Sequence, residues 1–154
     1  MEEMLLRTLL FGIFRWIHLA AIIVAVGGAF ALRYVVLPAV EAQGEAERRQ
    51  LHGAMRRRQM PITLAAIVLI VLSGSVNLVR ALVVAPTPPI AYHIVFGLKL
   101  LAALALFTLA TLLVLPADPP NALQRNRRRS LGLIVHLGLL IVVLSVALRF
   151  LSGK

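Results

Sequence analysis

The sequence contains no cysteine and only six acidic residues among its 154. The first absence excludes disulfides, thiolate metal sites and cysteine nucleophiles. The second matters because of where the acids stand. Glu2, Glu3, Glu41, Glu45, Glu47 and Asp118 all lie outside the long apolar runs. No HExxH pair is present for a zinc hydrolase, and the histidines of the apolar runs have no neighbouring carboxylate. Aromatics are scarce at 6%, and no basic face is interleaved with them, which argues against nucleic-acid binding despite a net charge of +10. The opening MEEMLLRTLL is acidic where the n-region of a signal peptide is basic, and the apolar run after it is too long for one.

Hydrophobic residues make up 60% of the chain. A water-soluble domain of this size would expose far too much apolar surface, so the expected solvent is a bilayer. Four runs are long enough for a hydrocarbon core that takes ~20 helical residues to cross. They are expected at about 12–38, 61–84, 90–115 and 130–151, with Pro61 opening the second. No alternating pattern suggests a barrel, and backbone groups in lipid must be satisfied within a segment. The predicted fold is therefore all-α: a single integral-membrane domain over 1–154, built as an antiparallel four-helix bundle. The stretch 1–14 is either a helical overhang or a surface segment.

The basic residues are unevenly placed. Segment 41–60 holds Arg48, Arg49, Arg56, Arg57 and Arg58, and segment 116–129 holds Arg125, Arg127, Arg128 and Arg129. The connection VAPTPPIAY between the second and third runs has no charge. The positive-inside rule puts the two arginine-rich loops in the cytoplasm and both termini outside. Trp16 suits an interfacial belt.

Within the runs stand polar residues that lipid does not favour. His18, Asn77, Arg80, His93 and Lys99 fall on the outer side, and Arg33 and His136 on the inner side. Lys99 is six residues past His93, ~9 Å deeper along a helix. A charge at mid-bilayer costs at least ~2.5–3.5 kcal/mol on insertion scales. Arg33 and Arg80 stand near enough to an interface to snorkel, whereas Lys99 is less easily relieved. Around the first helix, Ala21, Ala25, Gly28 and Ala29 fall on the side of His18, together with the larger Ile22, Val26 and Leu32. Small residues there serve close helix packing or leave room for a flat ligand. Ser73 and Ser75, in LSGSVN, satisfy backbone groups or pack helices. His136, on a face with Gly132, Leu140, Val143 and Ala147, is a structural donor or a ligand.

Haem b fits this inventory. Imidazoles supply axial ligands, propionates supply the negative charge that Arg80 and Lys99 lack, and small residues supply space. His18 and His93 are the candidate ligands, also for a metal. Lys99 and Arg80 are the anion partners, and His136 and Arg33 form a second polar layer. The enzymatic class compatible with this is a membrane oxidoreductase. Copper is the alternative cofactor. Cu(I) favours sulfur, and Met1, Met4, Met55 and Met60 lie outside or at the edge of the spans, which leaves histidine-type binding at His18 and His93. A ligand-free structural or assembly subunit is the third possibility.

The stretch RWIHLAAIIVAVGGAFALRYVVLPA, with YHIVFGLKLLAALALF and NRRRSLGLIVHLGLLIVVLSVALR, resembles the CopD-like bacterial membrane proteins, over about 15–151. That resemblance implies a bacterial cytoplasmic membrane and copper handling. A more distant resemblance is to HemJ-type protoporphyrinogen oxidases, which are four-helix and haem-associated. By position, it implies that His18 matches their first-helix histidine and Lys99 their third-helix lysine. The chain departs from that pattern at Gly97, where the family tends to have histidine, and in lacking a proline before Arg33. The expected partners are the lipid bilayer, a haem or porphyrin (or copper), and a second copy of the chain or a membrane redox protein.

Overall fold

The computed structural model describes residues 1–84, 89–116 and 122–152, without the side chains of 80–84. Helix α1 runs as one rod over Glu2–Glu41. Helix α2 covers Glu45–Val84, α3 Ile90–Val114, the short α4 Ala122–Arg125, and α5 Arg127–Leu151. No strand occurs among the described residues. The four long helices are long and apolar enough to cross a membrane, and the chain is a multi-pass membrane protein by that composition. Residues 2–14 belong to α1, so this stretch is a helical extension.

The basic segment 41–60 differs from expectation. Only residues 42–44 form a connection. From Glu45 onward the chain is helical through Pro61, which sits inside α2 and does not open it. The reason is local. Segment 45–60 is rich in Glu, Ala, Arg, Gln, Leu and Met, all strong helix formers. Glu45 and Glu47 favour the helix N-terminus, and Arg49 pairs with Glu45 at 2.9 Å one turn along. Pro61 removes one hydrogen bond and crowds the carbonyl four residues back, a local cost that does not end the helix.

Helix α1 contains two wide π turns, Ile23–Gly27 and Leu32–Val36. The second immediately precedes Leu37–Pro38, where a proline ring would otherwise press on the carbonyl one turn back. Each π turn advances the helix face out of ideal register, so the faces of His18 and Arg33 are not related by a simple 100° count.

Helix α1 packs chiefly along α2, and α3 chiefly along α5. The N-terminal stretch Glu2–Ile22 runs beside α2, and it is the middle of α1, residues 23–36, that meets α5. The core lies toward the basic end: Ala29 and Leu37 from α1, Leu106, Ala110 and Leu113 from α3, and Leu131, Ile134 and Val135 from α5. The other half of the bundle is more loosely filled and shows large apolar side chains outward, including Ile94, Leu98, Leu101, Val143 and Phe150, as lipid contact requires. Trp16 is 75% exposed.

Close helix approach is made by glycines other than the pair the sequence suggests. A Cβ on Gly27 or Gly28 would meet nothing within 4 Å. On Gly74 it would lie 3.1 Å from Cε1 of His18, and on Gly138 it would lie 2.7 and 2.8 Å from the two γ-methyls of Val26. On Gly132 it would occupy the place of the Arg33 guanidinium.

Candidate functional site

The His18 ring lies on α2 in a groove left by Gly74. Its Nδ1 is 3.1 Å from the Ile70 carbonyl oxygen and 3.0 Å from Oγ of Ser73. A carbonyl only accepts, so Nδ1 carries the proton and donates. The buried Ser73 hydroxyl donates in turn to the Leu69 carbonyl, which leaves its lone pairs for the ring. The neutral imidazole therefore keeps its free lone pair on Nε2, and no hydrogen bond reaches Nε2 among the described residues. A histidine with one nitrogen tied to a carbonyl and the other open is held in the orientation that metal-binding histidines adopt.

Lys99 of α3 stands near enough for its charge to act on the His18 ring. The structure thus brings together two of the residues singled out by the sequence, one from α1 and one from α3. Among the described residues no salt bridge reaches Lys99. His93 is exposed on the same helix, its ring edge-on to Tyr92 at 5.9 Å, and Tyr92 stacks with Phe96 at 6.2 Å. No hydrogen bond or ring contact joins His93 to His18. The side chain of Arg80 lies outside the described residues. No group of three or more His, Cys, Asp or Glu side chains gathers among the described residues.

Arg33 and His136 meet the same turn of α5. Nη1 of Arg33 donates to the Arg128 carbonyl, and its guanidinium lies against Gly132. His136 Nδ1 donates to the Gly132 carbonyl at 2.7 Å, one turn back on its own helix. His136 is exposed on α5, so this bond absorbs its donor locally. Arg33 stands fifteen residues from His18, ~22 Å along a helix, and belongs to the basic end of the bundle.

That end carries a cleft of about 630 Å³. It lies between the C-terminal turn of α1, the start of α2 and the α4–α5 corner, and Arg33, Glu41, His52, Arg56 and Arg127 are among its lining. The corner is fixed by side-chain bonds. Gln124 Nε2 donates to the Leu115 carbonyl at 2.6 Å, Ser130 Oγ to the Leu123 carbonyl at 3.0 Å, and Arg127 Nη2 to Gln59 Oε1 at 2.9 Å.

His52, on the basic extension of α2 before Pro61, has its pKa pushed below the ordinary 6.5. Burial is the largest cause; Arg127 and Arg48 add to it, and Glu41 opposes it. A histidine harder to protonate when folded leaves stability intact at high pH. Stability falls as pH drops below 6.5, where the unfolded chain takes up the proton first. NMR titration is expected to give His52 a midpoint under 6.5, and His52→Gln should flatten this part of the stability profile. A midpoint at or above 6.5 would remove the effect.

Two contributors escaped the sequence reading. Ser73 was visible as a small polar residue in LSGSVN, but nothing linked it to His18, 55 residues away. Gln59 and Arg127 are 68 residues apart, and their pairing depends on α2 being helical before Pro61. No family model, characterised protein or solved structure matches the chain.

Proposed function

We propose that the chain is a membrane-embedded redox module that binds haem b through Nε2 of His18. The observation that carries this is the locked imidazole: Nδ1 donates to Ile70 and Ser73, and Nε2 has no partner among the described residues. Donation to a carbonyl raises the basicity of the ligating nitrogen and fixes the ring plane. Lys99, near the ring and without a carboxylate in the described structure, is the counter-charge for a propionate. His93 and Arg80 are further partners on the same side of the bundle. Arg33 and His136, joined at Gly132, form the second polar layer near the other end. A bound haem iron would supply the electron-transfer chemistry; His18 would hold the iron and Lys99 would offset the propionate charge.

In this reading the arginine-rich segments 41–60 and 116–129 face the cytoplasm of a bacterial cell, with both termini on the far side. The resemblance to CopD-like and HemJ-type proteins agrees with that placement. A second copy or a membrane redox protein would exchange electrons with the module.

The test is the absorption spectrum of detergent-purified protein, oxidised and reduced, with metal analysis on the same sample. A Soret band with α and β bands on reduction is expected. A colourless preparation that takes up no haem on reconstitution would overturn the proposal. Stoichiometric copper in such a preparation would favour the copper reading instead.

A further inference from the structure

The basic cleft is lined by six arginines, Arg33, Arg56, Arg125, Arg127, Arg128 and Arg129, against the single carboxylate of Glu41 among the described residues. Topology alone asks only that positive side chains be on one side of the membrane, and dispersed, hydrated ones would serve. Here they converge on one concave surface, from α1, α2, α4 and α5. Two of them are held in place by uncharged acceptors: Arg33 by the Arg128 carbonyl and Arg127 by the Gln59 amide oxygen. These bonds fix the guanidiniums without neutralising them. Both keep a buried Nε–H that has no partner. A buried donor without an acceptor is costly, and two of them in one arginine-lined cleft imply an acceptor from outside the chain. Glu41 lies 3.9 Å from Arg128 and so offsets one charge at most.

The chemistry that meets these demands is a tetrahedral oxyanion. Guanidinium forks bind phosphate oxygens in pairs, and the volume, about 630 Å³, admits a phosphate group together with its substituent. The cleft sits among the arginines that flank the apolar runs, where a bilayer crossed by these helices would present its headgroups. We infer that the cleft formed by Arg33, Arg56, Arg127 and Arg128 is a phosphate-binding site, filled by the headgroup of an anionic phospholipid or by free phosphate.

The experiment uses the full chain. It is purified, placed in nanodiscs of phosphatidylcholine alone or with cardiolipin, and melted in matched ionic strength with chloride or inorganic phosphate. Lipid retention is measured in parallel by native mass spectrometry. If a headgroup fills the site, cardiolipin is retained and raises Tm, and the double variant Arg56→Gln/Arg127→Gln retains it at least about tenfold less, as two near-surface arginines warrant. If free phosphate fills it, phosphate raises Tm over chloride in phosphatidylcholine alone, and the double variant loses that rise. Arg149→Gln, in the last turn of α5 at the opposite end, leaves both results unchanged. Arg56→Gln alone, whose side chain makes no hydrogen bond or ion pair among the described residues, serves if the double variant does not fold. Equal behaviour of cardiolipin and phosphatidylcholine, together with equal behaviour of phosphate and chloride, would overturn the inference. So would a loss for Arg149→Gln as large as that for the double variant.

Discussion

His18→Ala is expected to yield a folded protein without a Soret band. The ring touches α2 at Gly74 and Ser73, so its removal opens a small gap and frees the Ile70 carbonyl from a side-chain donor. That carbonyl is still within α2, and Ser73 retains its bond to Leu69, so the helix pair should survive. What is lost is the only imidazole with one nitrogen tied to another helix and the other nitrogen open among the described residues. Ser73→Ala removes half of the lock and keeps the ligand, so haem affinity should fall by about 10-fold to 100-fold, the usual cost of an outer-shell partner. His93→Ala, at an exposed position, should retain haem. Circular dichroism for folding, with a haem titration of each apoprotein, separates these outcomes. Full haem binding by a folded His18→Ala protein would place the cofactor elsewhere.

Adding one methyl group should have opposite signs at two glycines. At Gly138 the new Cβ would fall 2.7 and 2.8 Å from the Val26 γ-methyls and 3.3 Å from its Cβ. Rotation about χ1 does not clear the Cβ, and a β-branched side chain has one preferred rotamer in a helix. The helices must separate, at an overpacking cost of ~1–3 kcal/mol, against a helix-propensity gain of up to ~1 kcal/mol. Gly138→Ala is therefore expected to destabilise, and Gly138→Val more strongly, because α1 meets α5 through this middle stretch. At Gly97 the same methyl meets nothing within 4 Å, so Gly97→Ala should gain up to ~1 kcal/mol. Thermal melts in one detergent give the comparison. A Gly138→Ala protein as stable as the parent would show that α1 and α5 are not closely packed there.

The extent of helix beyond the apolar runs was partly legible. The acid and arginine spacing of Glu45 and Arg49 already suits a helix, yet Pro61 reads as a helix start, and the proline rule won over propensity. In the structure the helix continues through Pro61 despite its missing hydrogen bond and ring crowding, with strong helix formers over 45–60 before it. The Gly27–Gly28 pair misled for a different reason. A π turn ends at Gly27 and shifts the face, so both glycines point to open space, while Gly132 and Gly138 make the approach to α1.

Composition and periodicity by themselves determined that this is a helical chain with four segments long and apolar enough to cross a membrane, with cations and imidazoles inside apolar runs and carboxylates only outside them. Those are properties of residue order, because a bilayer sorts side chains by depth. Which polar residues meet was decided by tertiary structure alone: His18 with Ser73, and Arg33 with Gly132 and the arginine cleft. Depth follows from counting residues along a helix. The angle at which each helix faces its neighbours follows from π turns and glycine contacts, which act only once the helices are packed.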